Sequence, residues 1–148
     1  MRSLLTLGAA LLLAGCTPKP VTVADLYAND LKLPGGQVIH VQTMVNQWDR
    51  LRGLAFQTSL APDHGVLFLQ DAPGRYSYWM YQHFIPLDMI WLDDKQRIVE
   101  IVENAQPCKT VASKCPYYGG NQTASFVLKI PGGMVKKYNL KVGDAIRW

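Results

Sequence analysis

Over much of this chain apolar and polar residues alternate with a period of two, and no long helical period interrupts them. Such alternation sends successive side chains to opposite faces of a strand. In Val38 to Val45, Ile39, Val41, Thr43 and Val45 alternate with His40, Gln42 and Met44, which predicts a strand. Gly65-Val-Leu-Phe-Leu69 and Ala124 to Ile130 are denser apolar runs, predicted as buried strands, and Pro131-Gly-Gly133 punctuates the second. Leu87 to Leu92 and Arg97 to Glu103 flank the polar loop Asp93-Asp-Lys-Gln96 and predict a hairpin. A turn at Asp71-Ala-Pro-Gly74 leads into an aromatic strand, Tyr76 to Met80. Val142 to Trp148 is expected to close the chain as a turn and a terminal strand.

Helices are few and short in this reading. Asn46 to Gly53 predicts one or two turns: Asn46 caps, Asp49 supports the first turn, and Gly53 closes it. So short a helix survives only by packing. Met134 to Asn139 is a second candidate. The expected fold is mainly β, a compact single domain built as a β-sandwich or partly closed barrel with one or two short helices.

The first sixteen residues follow a different pattern. Arg2 precedes an apolar run from Leu4 to Ala14, about half the length a spanning helix needs, and Leu13-Ala14-Gly15 leads directly to Cys16. That placement resembles the lipobox of bacterial lipoproteins. The resemblance implies a signal peptide at 1–15, cleavage before Cys16, and acylation of that thiol, so that the membrane is a partner through the lipid. Residues 16–36 would then be the lipidated cysteine and a tether, and 37–148 the domain. The expected location is exported and lipid-anchored in the cell envelope.

Composition narrows the partners. The net charge of +4 includes Arg2, and loss of the signal leaves +3. Lys129, Lys136, Lys137 and Lys141 form the one basic cluster, expected to be a solvated face, and a nucleic-acid surface would need a denser stripe. With Cys16 assigned to lipid, Cys108 and Cys115 remain as a pair separated by six residues and flanked by prolines. The spacing favours a local disulfide that staples a loop. A redox pair would more often be Cys-x-x-Cys at a helix start, and zinc would want two further ligands nearby.

Candidate chemistry is sparse. Arg50 and Arg52 flank one helical turn, and Asp88 lies inside the apolar run Leu87 to Trp91, where an unpaired carboxylate is costly. The economical arrangement pairs Arg50 or Arg52 with Asp88. Trp79 belongs to the densest aromatic segment; alternation puts Tyr76, Tyr78 and Met80 on one face and Ser77, Trp79 and Tyr81 on the other. His83 and Met80, joined by Met44 or Met89, would suit soft copper, but a lone His among scattered Met residues is usually ordinary structure. His40 and His64 stand apart in sequence and suggest no cluster. Hydrolase elbow, zinc-protease, phosphate-loop and dinucleotide motifs are missing from the sequence. Glu100 and Glu103, three apart on a strand, fall on opposite faces and cannot act as a close pair.

Several blocks carry a family resemblance. Trp48-Asp-Arg50-Leu-Arg52-Gly53-Leu54, Leu60-Ala-Pro-Asp63-His-Gly65-Val-Leu-Phe68, Trp79-Met80, Ile85-Pro86-Leu87-Asp88-Met89-Ile90, Ile98-Val-Glu-Ile101 and Gly143-Asp144 resemble the DUF192 family in order and spacing. The resemblance implies a compact, mainly β domain with no established activity. Two stretches depart from the family pattern: Tyr81-Gln82-His83 after Trp-Met, and Leu54-Ala55-Phe56-Gln57 after the first glycine.

These observations lead to a membrane-tethered domain that binds a small ligand or an envelope partner without catalysis, cofactor or metal. Arg50, Arg52, Trp79 and Asp88 are the expected ligand-binding residues. The competing readings are an enzyme on an envelope substrate, with His83 or Asp88 as acid or base, and a purely structural accessory protein.

Overall fold

A computed structural model describes residues 30–148. Its strands are β1 (Asp30–Lys32), β2 (Val38–Met44), β3 (His64–Gly74), β4 (Tyr78–Trp79), β5 (Leu87–Leu92), β6 (Ile98–Ala105), β7 (Tyr117–Tyr118) and β8 (Ala124–Pro131). Helix α1 (Gln47–Arg52) lies between β2 and β3, and α2 (Met134–Lys137) follows β8. The fold is mainly β, as the alternation predicts.

Six strands form one sheet in the order β1-β2-β3-β8-β5-β6, and β4 pairs with β7 in a separate ribbon. All pairings are antiparallel except β2 with β3. Parallel neighbours need a long crossover, and the segment carrying α1 supplies it. Within α1 the sequence expectation holds: the Asn46 side chain accepts from Asp49 N, and Gly53 N donates to Asp49 O. The β5–β6 hairpin also forms as predicted, with Asp93 Oδ1 accepting from Lys95 N and Arg97 N inside the loop.

The sheet is not a closed barrel, but its two edges are laced together. Arg147 bridges Lys32 at the end of β1, Ala145 bridges Arg97 before β6, and Ile146 N donates to Gln96 O. The terminal segment expected as a strand therefore forms isolated bridges rather than a ladder. Its work is to span the gap that sheet curvature leaves between the edges.

Two apolar clusters occupy the two faces. The inner one gathers Leu31, Ile39, Val41, Leu67, Ile90, Leu128, Ile130 and Ile146 with Val135 of α2. The outer one gathers Met44, Val66, Phe68, Met89, Trp91 and Val127, covered by Leu54, Met80 and Tyr78. Strand β5 is buried along its whole length because both faces are covered.

Three expectations need correction here. Residues 30–36 belong to the fold rather than to a tether: β1 pairs with β2, and Leu31 and Leu33 are buried in the inner cluster. The aromatic strand expected at Tyr76 to Met80 shrinks to Tyr78–Trp79, because its partner β7 is only two residues long. Lys129 is not part of a solvated face. It lies in central strand β8, 3% exposed, because the outer cluster closes over it.

Candidate functional site

An aromatic groove of about 290 Å³ lies between α1 and the β4–β7 ribbon, lined by Gln47, Arg50, Leu51, Gln70, Tyr76, Ser77, Tyr78, Trp79 and Tyr117. Strand alternation builds its wall. Tyr78 and Met80 turn toward the outer cluster, whereas Trp79 turns outward and stacks on Tyr117 with ring centres 5.7 Å apart and planes within 13°. Leu51 and Tyr117 are strongly exposed at the rim.

Arg50 reaches the groove, but its guanidinium is already engaged. Nη1 donates to Val45 O at 2.7 Å, Leu69 O at 2.9 Å and Asp71 Oδ1 at 3.0 Å, and Nη2 to Asp71 Oδ2 at 2.7 Å. The planar fork thereby clamps the end of β2 to β3, with Asp71 supplying the counter-charge. The expected pairing of Arg50 or Arg52 with Asp88 is absent. Arg52 lines a different depression, with Gln42, Met44, Asp49, Gly53 and Gln57.

Asp88 sits on the inner face, fully buried, and binds backbone instead of arginine. Oδ1 accepts from Asn104 N at 2.7 Å and Gly133 N at 3.0 Å, and Oδ2 from Val135 N at 2.7 Å. Three N–H donors satisfy the carboxylate and fix the Pro131–Gly133 turn and the start of α2. Arg50 and Trp79 thus share the groove, while Arg52 and Asp88 lie elsewhere.

Behind the groove wall lies the group that sequence reasoning missed. Lys129 Nζ stands 3.9 Å from the Tyr78 ring centre and 4.8 Å from that of Phe68, facing both rings. Among the described residues no carboxylate is within ion-pair distance of it. Burial lowers the Lys129 ammonium to about 7. Tyr78 donor chemistry is muted as well: burial pushes its phenol up to about 12, against a hydrogen bond from Gln70 Nε2 at 2.7 Å. The available sequence signal was a lysine between Leu128 and Ile130 inside an apolar run.

His83 lies nearby, buried, with Nδ1 2.9 Å from Tyr81 O and Nε2 without a hydrogen-bond partner. Burial lowers its pKa, and the Lys129 charge adds to the effect. Neither His83 nor Asp88 lines the groove, so neither is placed as its acid or base. Glu100 and Glu103 are likewise not a pair: Glu100 accepts from Asn121 N, Asn121 Nδ2 and Gln122 N, whereas Glu103 borders a depression beside α2.

Cys108 and Cys115 form the expected disulfide, across a loop whose only regular element is a 3-10 turn at Ala112–Lys114. Next to it Cys108 N donates to Met80 O, and Cys108 bridges Tyr81. The loop is thereby held beside the aromatic ribbon. The two departures from the family pattern also meet in space. Phe56 N donates to Gln82 O, both residues have positive φ, and Phe56 packs edge-on against Phe84. The lipidation site expected at Cys16 lies outside the described residues.

Fold and groove together define a single domain with a curved mixed sheet, laced at its edges, and a neutral aromatic recess on the outer face. Residues 31–148 match DUF192, described as Uncharacterized ACR, COG1430, and the chain belongs to that family. It is 26% identical over 111 residues to a UPF0127 protein of Thermococcus gammatolerans, covering 74% of this chain and 66% of that protein. It is 28% identical over 101 residues to UPF0127 protein TK1120 of Thermococcus kodakarensis, covering 67% and 58% respectively. The matched region thus spans less than two-thirds of either relative. A solved structure of a protein of unknown function from Novosphingobium aromaticivorans is similar with a TM-score of 0.71 and 27% identity, covering 80% of this chain and 82% of that one. A Sinorhizobium meliloti structure, described as a candidate transcription regulator, is similar with a TM-score of 0.70 and 28% identity, over 80% and 89%.

Proposed function

We propose that this protein is a non-catalytic binding domain whose aromatic groove takes a neutral ring-bearing ligand, a sugar unit of the cell envelope above all. The observation that carries the reading is the exposed Trp79–Tyr117 stack beside Leu51, with amide and hydroxyl groups of Gln47 and Ser77 on the same groove. Ring faces cover the apolar side of a pyranose at low entropic cost, and polar side chains fix its orientation. Because Asp71 neutralises Arg50, an organic anion is the poorer match. Nucleic acid is disfavoured as well, since Lys129 is withdrawn from the basic cluster.

The same proposal places the domain at a membrane surface, exported and lipid-anchored through Cys16. Its support is the apolar run and the small residues that precede that cysteine. A Cys16→Ser variant should lose membrane attachment on fractionation; retention would refute the anchor.

The groove is tested by titrating peptidoglycan-derived and neutral oligosaccharides into the protein while observing tryptophan fluorescence and indole NMR signals. Binding should perturb Trp79 and fall at least tenfold in Trp79→Ala. Saccharides that bind equally well to Trp79→Ala, or none that bind at all, would remove the ligand reading.

A further inference from the structure

A second recess, about 510 Å³, lies on the outer face over β2 and β3, and both His40 and His64 line it. They are far apart in sequence, but the parallel register puts His40 directly opposite His64. Their ring centres are 5.4 Å apart. Each ring is held by its own carboxylate: His40 Nδ1 is 2.6 Å from Asp30 Oδ1, and His64 Nδ1 is 2.8 Å from Asp63 Oδ1. This overturns the expectation that the two histidines stand apart.

An ionised carboxylate only accepts, so Nδ1 of each ring is the donor in these contacts, and Nε2 is the nitrogen left to face a metal ion. Carboxylate–imidazole pairs of this kind orient histidines that bind metal and raise their basicity.

We propose that His40 and His64 form a two-imidazole site for a borderline divalent cation, Cu²⁺ or Zn²⁺, on the outer face of the sheet. The spacing agrees with the chemistry. A metal about 2.0–2.1 Å from each nitrogen lies about 3.2 Å from each ring centre, so two imidazoles at a tetrahedral angle have centres about 5.2 Å apart. Imidazole nitrogen suits these ions, and the two carboxylates favour a cation over an anion. Among the described residues no group of three His, Cys, Asp or Glu side chains forms a metal site. The described residues therefore supply two nitrogens, and water or an external ligand would fill the remaining positions. Gln42 and Gln57 border the same recess as neutral oxygen donors.

The test uses the full-length protein without a polyhistidine tag, with Cu²⁺ and Zn²⁺ as probes. One Cu²⁺ should bind per chain, with an electron paramagnetic resonance spectrum showing coupling to two imidazole nitrogens. His40→Ala and His64→Ala should each weaken binding at least tenfold, and Asp30→Asn should weaken it less. Both histidines are about half exposed, so the variants should keep their metal-free melting temperature. Zn²⁺ should shift the ring-proton signals of His40 and His64 together in the unaltered protein, a readout independent of any variant. Unchanged affinity in both alanine variants, or Zn²⁺ shifts that spare these two rings, would overturn the site. Loss of saccharide binding by Trp79→Ala would bear on the aromatic groove alone.

Discussion

The amino group of Lys129 faces the ring of Tyr78, 3.9 Å from its centre, and among the described residues no carboxylate neutralises it. A buried cation held only by ring quadrupoles recovers a fraction of its lost hydration. Lys129→Met should therefore stabilise the protein at neutral and lower pH. The folded amine titrates near 7, well below the unfolded one. Between those values the unfolded chain binds the extra proton, so stability rises with pH. The advantage of Lys129→Met should be greatest below pH 7 and shrink as pH climbs toward about 10, by up to about 1.4 kcal/mol per pH unit. Urea unfolding of both proteins across pH 6 to about 10 measures it, and a pH-independent gap would refute it.

Arg50 and Arg52 are neighbours on α1 with opposite expectations. Arg50→Ala removes the bidentate contact to Asp71 and leaves the carbonyls of Val45 and Leu69 without their donor, so a loss of about 2–3 kcal/mol is expected. Arg50→Lys should recover little, because an ammonium cannot span that fork. Arg52→Ala should stay within about 0.5 kcal/mol of the parent. Equal effects at the two positions in chemical denaturation would contradict the clamp.

Asp88 is predicted to matter for stability and not for ligand affinity. Asp88→Asn keeps the volume but turns an amide toward backbone donors that now meet an oxygen, and about 3 kcal/mol should be lost. Hydrogen exchange should quicken at Gly133 and Val135 first. Unchanged protection there would show that the carboxylate does not hold α2.

Gly119 has φ +68°, and a Cβ there would overlap the indole carbons of Trp91. That indole donates from Nε1 to Tyr76 O at 2.6 Å, so it is not free to step aside. Gly119→Ala should cost at least about 2 kcal/mol and change the emission of Trp91. A variant as stable as the parent would mean that the ribbon shifts freely over the sheet.

Local order was readable from the residues where period and punctuation agree. The β5–β6 hairpin, β2, β8 and the capped turn at Asn46 all lie where alternation and capping put them. Strand β1 was hidden because three residues beside prolines and glycines carry too little pattern to separate strand from tether. The meeting of His40 with His64 was invisible for another reason: it depends on a parallel register between strands that are not joined by a tight turn. Of the site, Trp79 was found through aromatic alternation, but Tyr117 and Gln70 come from segments that only the tertiary fold brings alongside. Asp88 was recognised as a carboxylate needing partners. Its partners turned out to be backbone N–H groups, which leave no trace in residue type.

Strand β8 lies between β3 and β5 although it comes after both in the chain. The earlier strands therefore have no complete sheet to join until residue 131 is available, and the lacing of the edges waits for Arg147. Folding of such non-local topology is slow relative to local hairpin formation. The order of strands thus makes closure of the sheet depend on β8, the last strand to be added.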